Sequence, residues 1–190
     1  AGGPFRNRPT GAIMGTIVNS QPFFSQAPDF GYNAVREPAA ATGQGAAYRT
    51  FVNANRSHRP ARVFVGSNGG MLHAFDASGS PVSGAANYNA NYMNEVFAYV
   101  PRAVYGRLRP FALPGYVHRY LVDGPVVEGD VFTGSAWRTV IVGTTGAGPR
   151  GIFALDVTQR SGSTATAVGT GNVLWDIDPS ADSGANIEHV

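Results

Sequence analysis

The chain has 190 residues, 14 basic and 12 acidic side chains, 43% hydrophobic and 14% charged content. That is enough apolar material for a packed core in one domain or part of one, and it excludes a wholly disordered chain. Charge is sparse beside the ~25% of an ordinary soluble domain. Gly (25) and Pro (13) are abundant, which disfavours a helical bundle and favours short strands joined by turns.

Every basic residue is Arg, and the formal net charge is only +2. The densest basic group, Arg56, Arg59 and Arg62 with His58, is too thin for a nucleic-acid or membrane-surface patch, so no nucleic-acid partner is expected. The absence of Cys excludes a disulfide framework, a thiolate metal site and a Cys nucleophile. No apolar run reaches the ~18 residues of a membrane-spanning helix, so no transmembrane segment is expected. The opening AGGPFRNRPTG lacks the apolar stretch of a signal peptide.

In chain order, NSQPFFSQ (Asn19 to Gln26) reads as a Pro-led strand. Residues 27–61 read as a loop insertion with one short helical turn. RVFVGSNGGMLHAFDAS (Arg62 to Ser78) reads as two strands around a Gly-rich turn, and residues 79–94 as an exposed Asn/Tyr/Gly-rich loop. EVFAYVP (Glu95 to Pro101) is a fourth strand. A short helix is expected at Arg102 to Leu108, ending before Pro110. The pattern then repeats as DGPVVEGD (Asp123 to Asp130), RTVIVGTTGAGPRGIFALDVT (Arg138 to Thr158) and NVLWDID (Asn172 to Asp178).

Gly66 answers to Gly143, Asp76 to Asp156, and Phe97-Ala98-Tyr99 to Leu174-Trp175-Asp176. Four antiparallel strands in a repeated unit is the pattern of a β-propeller blade, and closure takes about four to eight blades. The expected fold is therefore all-β: a β-propeller segment of about two blades, near residues 13–101 and 120–178, within a larger propeller. The repeated glycines and aspartates read as structural blade positions, with Asp76 and Asp156 capping the turns after their strands. Trp137 and Trp175 are expected to pack between blades.

The candidate chemical motifs are weak. Residues 146–151 spell GxGxxG, but a strand follows where a dinucleotide site needs a helix. Asp176, Asp178 and Asp182 lack the Gly and the closing Glu of a calcium loop. His58, His73, His118 and His189 have no metal-ligand spacing, and Ser67 lies in no nucleophile elbow. Glu128 and Asp130 share one side of a strand and read as a solvated pair. No catalytic residue, metal ligand or cofactor site is expected in these residues. Tyr88, Asn89, Asn91 and Tyr92 are the first candidates for a contact loop, because Tyr and Asn supply contact area and adaptable hydrogen bonds. Arg56 and Arg59 come second.

These blades resemble those of the quinoprotein-like propellers in Leu155-Asp156 with Trp175 and in Phe75-Asp76 with Phe97. A closer resemblance is to the C-terminal propeller of the PilC/PilY-type type IV pilus biogenesis and tip adhesin family. It is carried by FRNR (Phe5 to Arg8), GTIVNSQPFF (Gly15 to Phe24), RVFVGSNGGMLHAFDA and EVFAYVPRAVY (Glu95 to Tyr105). HRYLVDGPVVEGDV (His118 to Val131), WRTVIVGTTGAGPRGIFALDVT (Trp137 to Thr158) and VLWDID continue it. The resemblance implies a non-enzymatic, extracellular or cell-surface protein at the pilus tip of a Gram-negative bacterium. It would act with minor pilins in pilus biogenesis, motility and adhesion to a host or abiotic surface. The family's Asp-rich calcium loop is not in this stretch, so calcium is implied only elsewhere in the parent protein. The alternatives are part of a quinoprotein-like propeller dehydrogenase, or a propeller scaffold that binds peptides or glycans.

Overall fold

The computed structural model describes residues 4–6, 11, 14–26, 28–34, 44–158 and 170–181. Its elements are β1 (Phe23–Ser25), α1 (Gln44–His58), β2 (Arg62–Ser67), β3 (Met71–Asp76), β4 (Glu95–Tyr99) and α2 (Tyr105–Ala112). They are followed by β5 (Val126–Phe132), β6 (Trp137–Thr144), β7 (Ile152–Asp156) and β8 (Val173–Ile177). The strands form two four-stranded sheets in the orders β1-β2-β3-β4 and β5-β6-β7-β8, and every pairing is antiparallel. The fold is all-β in plan, with one helix inserted in the first sheet and one between the sheets.

The repeat extends to backbone irregularity. A register shift lies between Ala74 and Phe75 in β3, and another between Ala154 and Leu155 in β7. These are equivalent positions. A bulge bends a strand and increases its twist, so both sheets curl at the same place.

Strand periodicity decides what each sheet buries. Cross-strand register sets Phe64, Ala74 and Phe97 on one face of the first sheet. On the second it aligns Ile141 with Leu155 and Gly143 with Phe153. Phe64, Leu72, Ile141, Phe153 and Leu155 join one core with Val104, Leu121 and Val122 from the connection between the sheets. The opposite face of the second sheet aligns Val127, Val142, Ala154 and Trp175. Its outer strands stay exposed, Val127 at 55% and Trp175 at 39%, while Ala154 and Val140 on the central strands are buried. Trp175 therefore does not pack between these two sheets; alternation along β8 turns it away.

Both helices depart from the sequence expectation. The insertion holds a 15-residue helix, not a single turn. Its sequence mixes strong helix formers, three Ala and two Arg, with the weaker Gly45, Thr50, Asn53 and Asn55. What holds it is burial of Tyr48 and Val52, one turn apart on one face. The second helix begins as a 3-10 turn at Arg102–Val104 and runs on through Pro110 to Ala112. Proline removes one helical hydrogen bond. Its usual acceptor would be the carbonyl of Gly106, and both residues are exposed, so water can satisfy that carbonyl.

The repeated glycines are required by close approach. A Cβ on Gly143 would lie 2.4 Å from the Phe153 ring, and one on Gly66 would lie 2.6 Å from the Val122 carbonyl oxygen. Gly143→Ala in the full-length protein is expected to destabilise the domain by about 1–3 kcal/mol. Gly106→Ala, on open α2 surface with nothing within 4 Å of the added carbon, should stabilise it by about 0.5–1 kcal/mol. Thermal melting of the two variants checks the pair.

Candidate functional site at the junction of the two sheets

Residues 128 and 130 point from β5 toward the first sheet, because positions two apart on a strand share a face. The expectation of a solvated carboxylate pair is overturned. The Glu128 side chain is 1% exposed, and Asp130 is buried. Arg59 answers Glu128 in a bidentate pair, with Nη1 donating at 2.8 Å and Nη2 at 3.0 Å, and Nη2 also donates to Ser25 Oγ in β1. One guanidinium thus ties the first strands of both sheets together.

Arg59, a candidate for an exposed contact surface, is instead buried and fully engaged. Arg56 lies on α1, and its side chain is outside the described residues.

Asp130 takes its partners from two elements. Tyr48 on α1 donates its hydroxyl at 2.9 Å, and Thr139 on β6 donates at 2.7 Å. The Tyr48 oxygen accepts the Phe30 N–H in turn. Burial and the nearby Glu128 charge raise the Asp130 carboxyl above its ordinary value, against the lowering by Thr139, Tyr48 and Arg59. Burial, with the Asp130 carboxylate beside it, also holds the Tyr48 phenol well above its usual value. Trp137 packs on the insertion, stacked on Tyr32 at 5.5 Å and tilted against Tyr48 at 4.6 Å.

A second polar knot forms where the chain enters the second sheet. Asp123 accepts the Asn19 N–H at 3.1 Å, Asn19 Nδ2 at 2.5 Å and Asn68 Nδ2 at 3.1 Å. Asn68 Oδ1 accepts the Leu121 N–H at 2.9 Å. His118 stays out of this knot and meets Thr16 Oγ1 at 3.0 Å. At the outer strands, Tyr99 donates to Asp176, which also accepts the Arg102 N–H at 2.8 Å.

The repeated aspartates each close a turn and hold an arginine. Asp76 accepts the Ser78 N–H and pairs with Arg62 at 2.9 Å, while Asp156 accepts the Thr158 N–H and pairs with Arg138 at 2.6 Å. The arginine partners went unread in the sequence, although both motifs open on them. Burial works to raise the Asp76 carboxyl, but Ser78 and Arg62 outweigh it and the group sits below its ordinary value.

One further arrangement has the order of a catalytic relay. Ser67 Oγ lies 2.9 Å from His73 Nε2, and His73 Nδ1 lies 2.5 Å from Glu95 Oε1. Ser67 is fully buried and its oxygen also accepts the Gly69 N–H at 3.3 Å. The relay therefore braces the β2–β3 turn from inside. Among the described residues, no group of three or more His, Asp or Glu could hold a metal ion. Asp182 and His189 lie outside the described residues. Residues 146–151 form the turn into β7, where Thr145 N–H donates to the Gly151 carbonyl at 3.1 Å.

The candidate contact loop is held by its own side chains. Tyr88 and Asn91 are exposed, Asn89 and Tyr92 half-buried. Asn89 Nδ2 donates to the Ser78 carbonyl at 2.8 Å, and its Oδ1 accepts the Asn91 N–H at 2.9 Å. Tyr88 is thus the loop's free aromatic, presented on a braced backbone.

The family described as the PilY1 beta-propeller domain matches residues 14–190. The chain belongs to this PilY1 β-propeller family. A type IV pilus biogenesis factor PilY1 homolog of Xylella fastidiosa is 40% identical over 182 residues, which are 95% of this chain and 13% of that protein. The type IV pilus biogenesis factor PilY1 of Pseudomonas aeruginosa PAO1 is 37% identical over 177 residues, 91% of this chain and 13% of that protein. A crystal structure of the P. aeruginosa PilY1 C-terminal domain is 35% identical, with a TM-score of 0.45 over 70% of this chain and 21% of that one. The chain thus spans 13% of the length of these curated PilY1 relatives. Among the described residues, no helix is long and apolar enough to cross a membrane.

Removing one partner of a buried ion pair leaves an uncompensated charge, so Arg59→Met in the full-length protein should cost about 3–5 kcal/mol in denaturant unfolding. Asp76, with its lowered carboxyl, contributes stability that is present above the unfolded value and lost as pH falls through the folded one. Asp76→Asn should therefore lower Tm at neutral pH, and the gap from wild type should close below about pH 4. A gap that persists unchanged in acid would contradict the carboxylate's role.

Proposed function

We propose that the chain forms two consecutive blades of a larger propeller that works in type IV pilus biogenesis at the bacterial surface. The observation that carries this reading is the pairing of family membership with apolar residues exposed on the outer strands of the second sheet. Val127, Val131 and Trp175 make a surface suited to another blade, since such faces on stable domains are covered. The first sheet offers a matching outer face at Phe24.

In this reading the propeller is a non-enzymatic scaffold, placed at the pilus tip with minor pilins as partners and a host or abiotic surface as the target of adhesion. The full burial of Ser67 supports the non-enzymatic role, because a nucleophile must reach its substrate. Tyr88 on its braced loop supports a contact role.

Two measurements test the reading. Val127→Lys in the full-length protein should lower the Tm of the propeller by placing a charge in an apolar interface. A near-neutral result would show that no blade covers this face. Deleting the gene from its source organism should remove surface pili and twitching, with recovery on complementation. Normal piliation in the deletion strain would overturn the pilus role.

A further inference from the structure

We propose that the cleft between α2 and the β6–β7 turn is a docking site for an acidic segment of a protein partner. The cleft has a volume of about 410 Å³, and Gly106, Arg107, Pro149, Arg150 and Asp178 are among the residues lining it. Arg107 and Arg150 are both exposed. Among the described residues neither makes an ion pair, and neither side chain makes a hydrogen bond. The two like charges repel each other and, against the single lining carboxylate Asp178, leave a net positive field in the cleft. A carboxylate seated between them relieves that repulsion and can accept paired N–H donors from a planar guanidinium.

The charge distribution makes this end basic beyond what the net charge of +2 suggests. Asp76, Glu128 and Asp156 are each paired with an arginine inside the fold, and Asp123 and Asp130 are buried among hydrogen-bond donors. From 96 to 122 the chain carries Arg102, Arg107, Arg109 and Arg119 and no carboxylate. All four arginines are exposed. Those carboxylates are spent in the interior; of the four arginines Arg107 lines the cleft, while Arg102 is engaged with Asp176 through its N–H and Nη1.

The lining favours a protein over a nucleic acid or another polyanion. A cleft of this volume admits one or two side chains, whereas a polyanion is held along a track of basic groups. Asp178 in the wall is turned to its own turn, its Oδ1 accepting the Ser180 N–H at 3.0 Å and hydroxyl at 2.5 Å, and it does not discriminate between anions. The same connection exposes Tyr105, Leu113, Tyr120 and Val117, the last 76% exposed. Aromatic and apolar groups interleaved with arginine are the composition of protein-interface cores. This docking surface does not rest on the pilus role, and its test uses purified protein.

The test is fluorescence anisotropy of the full-length protein with a labelled short peptide of alternating Glu and Gly, against the Lys–Gly peptide. The acidic peptide should bind and the basic one should not. Arg107→Glu with Arg150→Glu should weaken binding by about tenfold or more, since each lost contact is a charge-assisted hydrogen bond. Arg107→Gln with Arg150→Gln should weaken it in the same direction without reversing charge. Thermal melting of each variant confirms that it is folded. Arg109→Glu, on α2 but outside the cleft lining, should change binding far less. No binding of the acidic peptide, or equal weakening by Arg109→Glu, would overturn the site. Tighter binding of heparin with the same variant sensitivity would overturn the protein partner in favour of a polyanion.

Discussion

Two carboxylates two residues apart on β5 set the terms for the junction. Strand alternation sends Glu128 and Asp130 to the same side, and the packing of the second sheet on the first takes that side out of water. A buried carboxylate is tolerated only when its oxygens are satisfied. Thr139 on the same sheet supplies one donor. The rest come from outside it, Arg59 and Tyr48 both arriving with the inserted segment. The insertion is therefore part of the junction itself. Helix α1 is anchored there by Tyr48, which reaches Asp130 while packing on Trp137.

The two sheets repeat in backbone and diverge in how they use equivalent side chains. The bulge recurs, and so do the aspartate-closed turn and its arginine. Gly66 and Gly143 are the same residue at the same place, yet one makes room for the Val122 carbonyl and the other for the Phe153 ring. Tyr99 and Asp176 occupy matched positions in the outermost strands and bond to each other. A blade repeat supplies the same geometric slot in each sheet, and packing side by side lets one slot recognise its counterpart.

Charge follows the same division between inside and outside. The interior uses carboxylates as acceptors that tie elements together, as Asp123 does for Asn19 and Asn68. The arginines left over lie on exposed connections. A PilY1-family propeller can then hold its blades through buried polar contacts while leaving its loops exposed. The residues that hold the sheets together and those proposed for contact are separate sets in the same 190-residue chain.

By itself the sequence determined the repeat, the strands and their turns, and the family, because these depend on local periodicity and on motifs in a matching order. The Gly-rich turns at Asn68–Gly70 and in residues 146–151 were legible for that reason. The helix of the insertion was not, since Gln44–His58 mixes strong and weak helix formers and gains its stability from burial of Tyr48 and Val52. Arg59 and the Glu128–Asp130 pair were misread as solvent-facing. Strand alternation put both carboxylates on one side without saying which side faces another sheet. Trp137 and Trp175 matched blade positions in sequence, but one lies on the insertion and the other on an exposed outer strand. Only the tertiary structure decided these, because burial and pairing are properties of which faces meet, and residues such as Arg59 and Glu128, 69 positions apart, carry no local sign of each other.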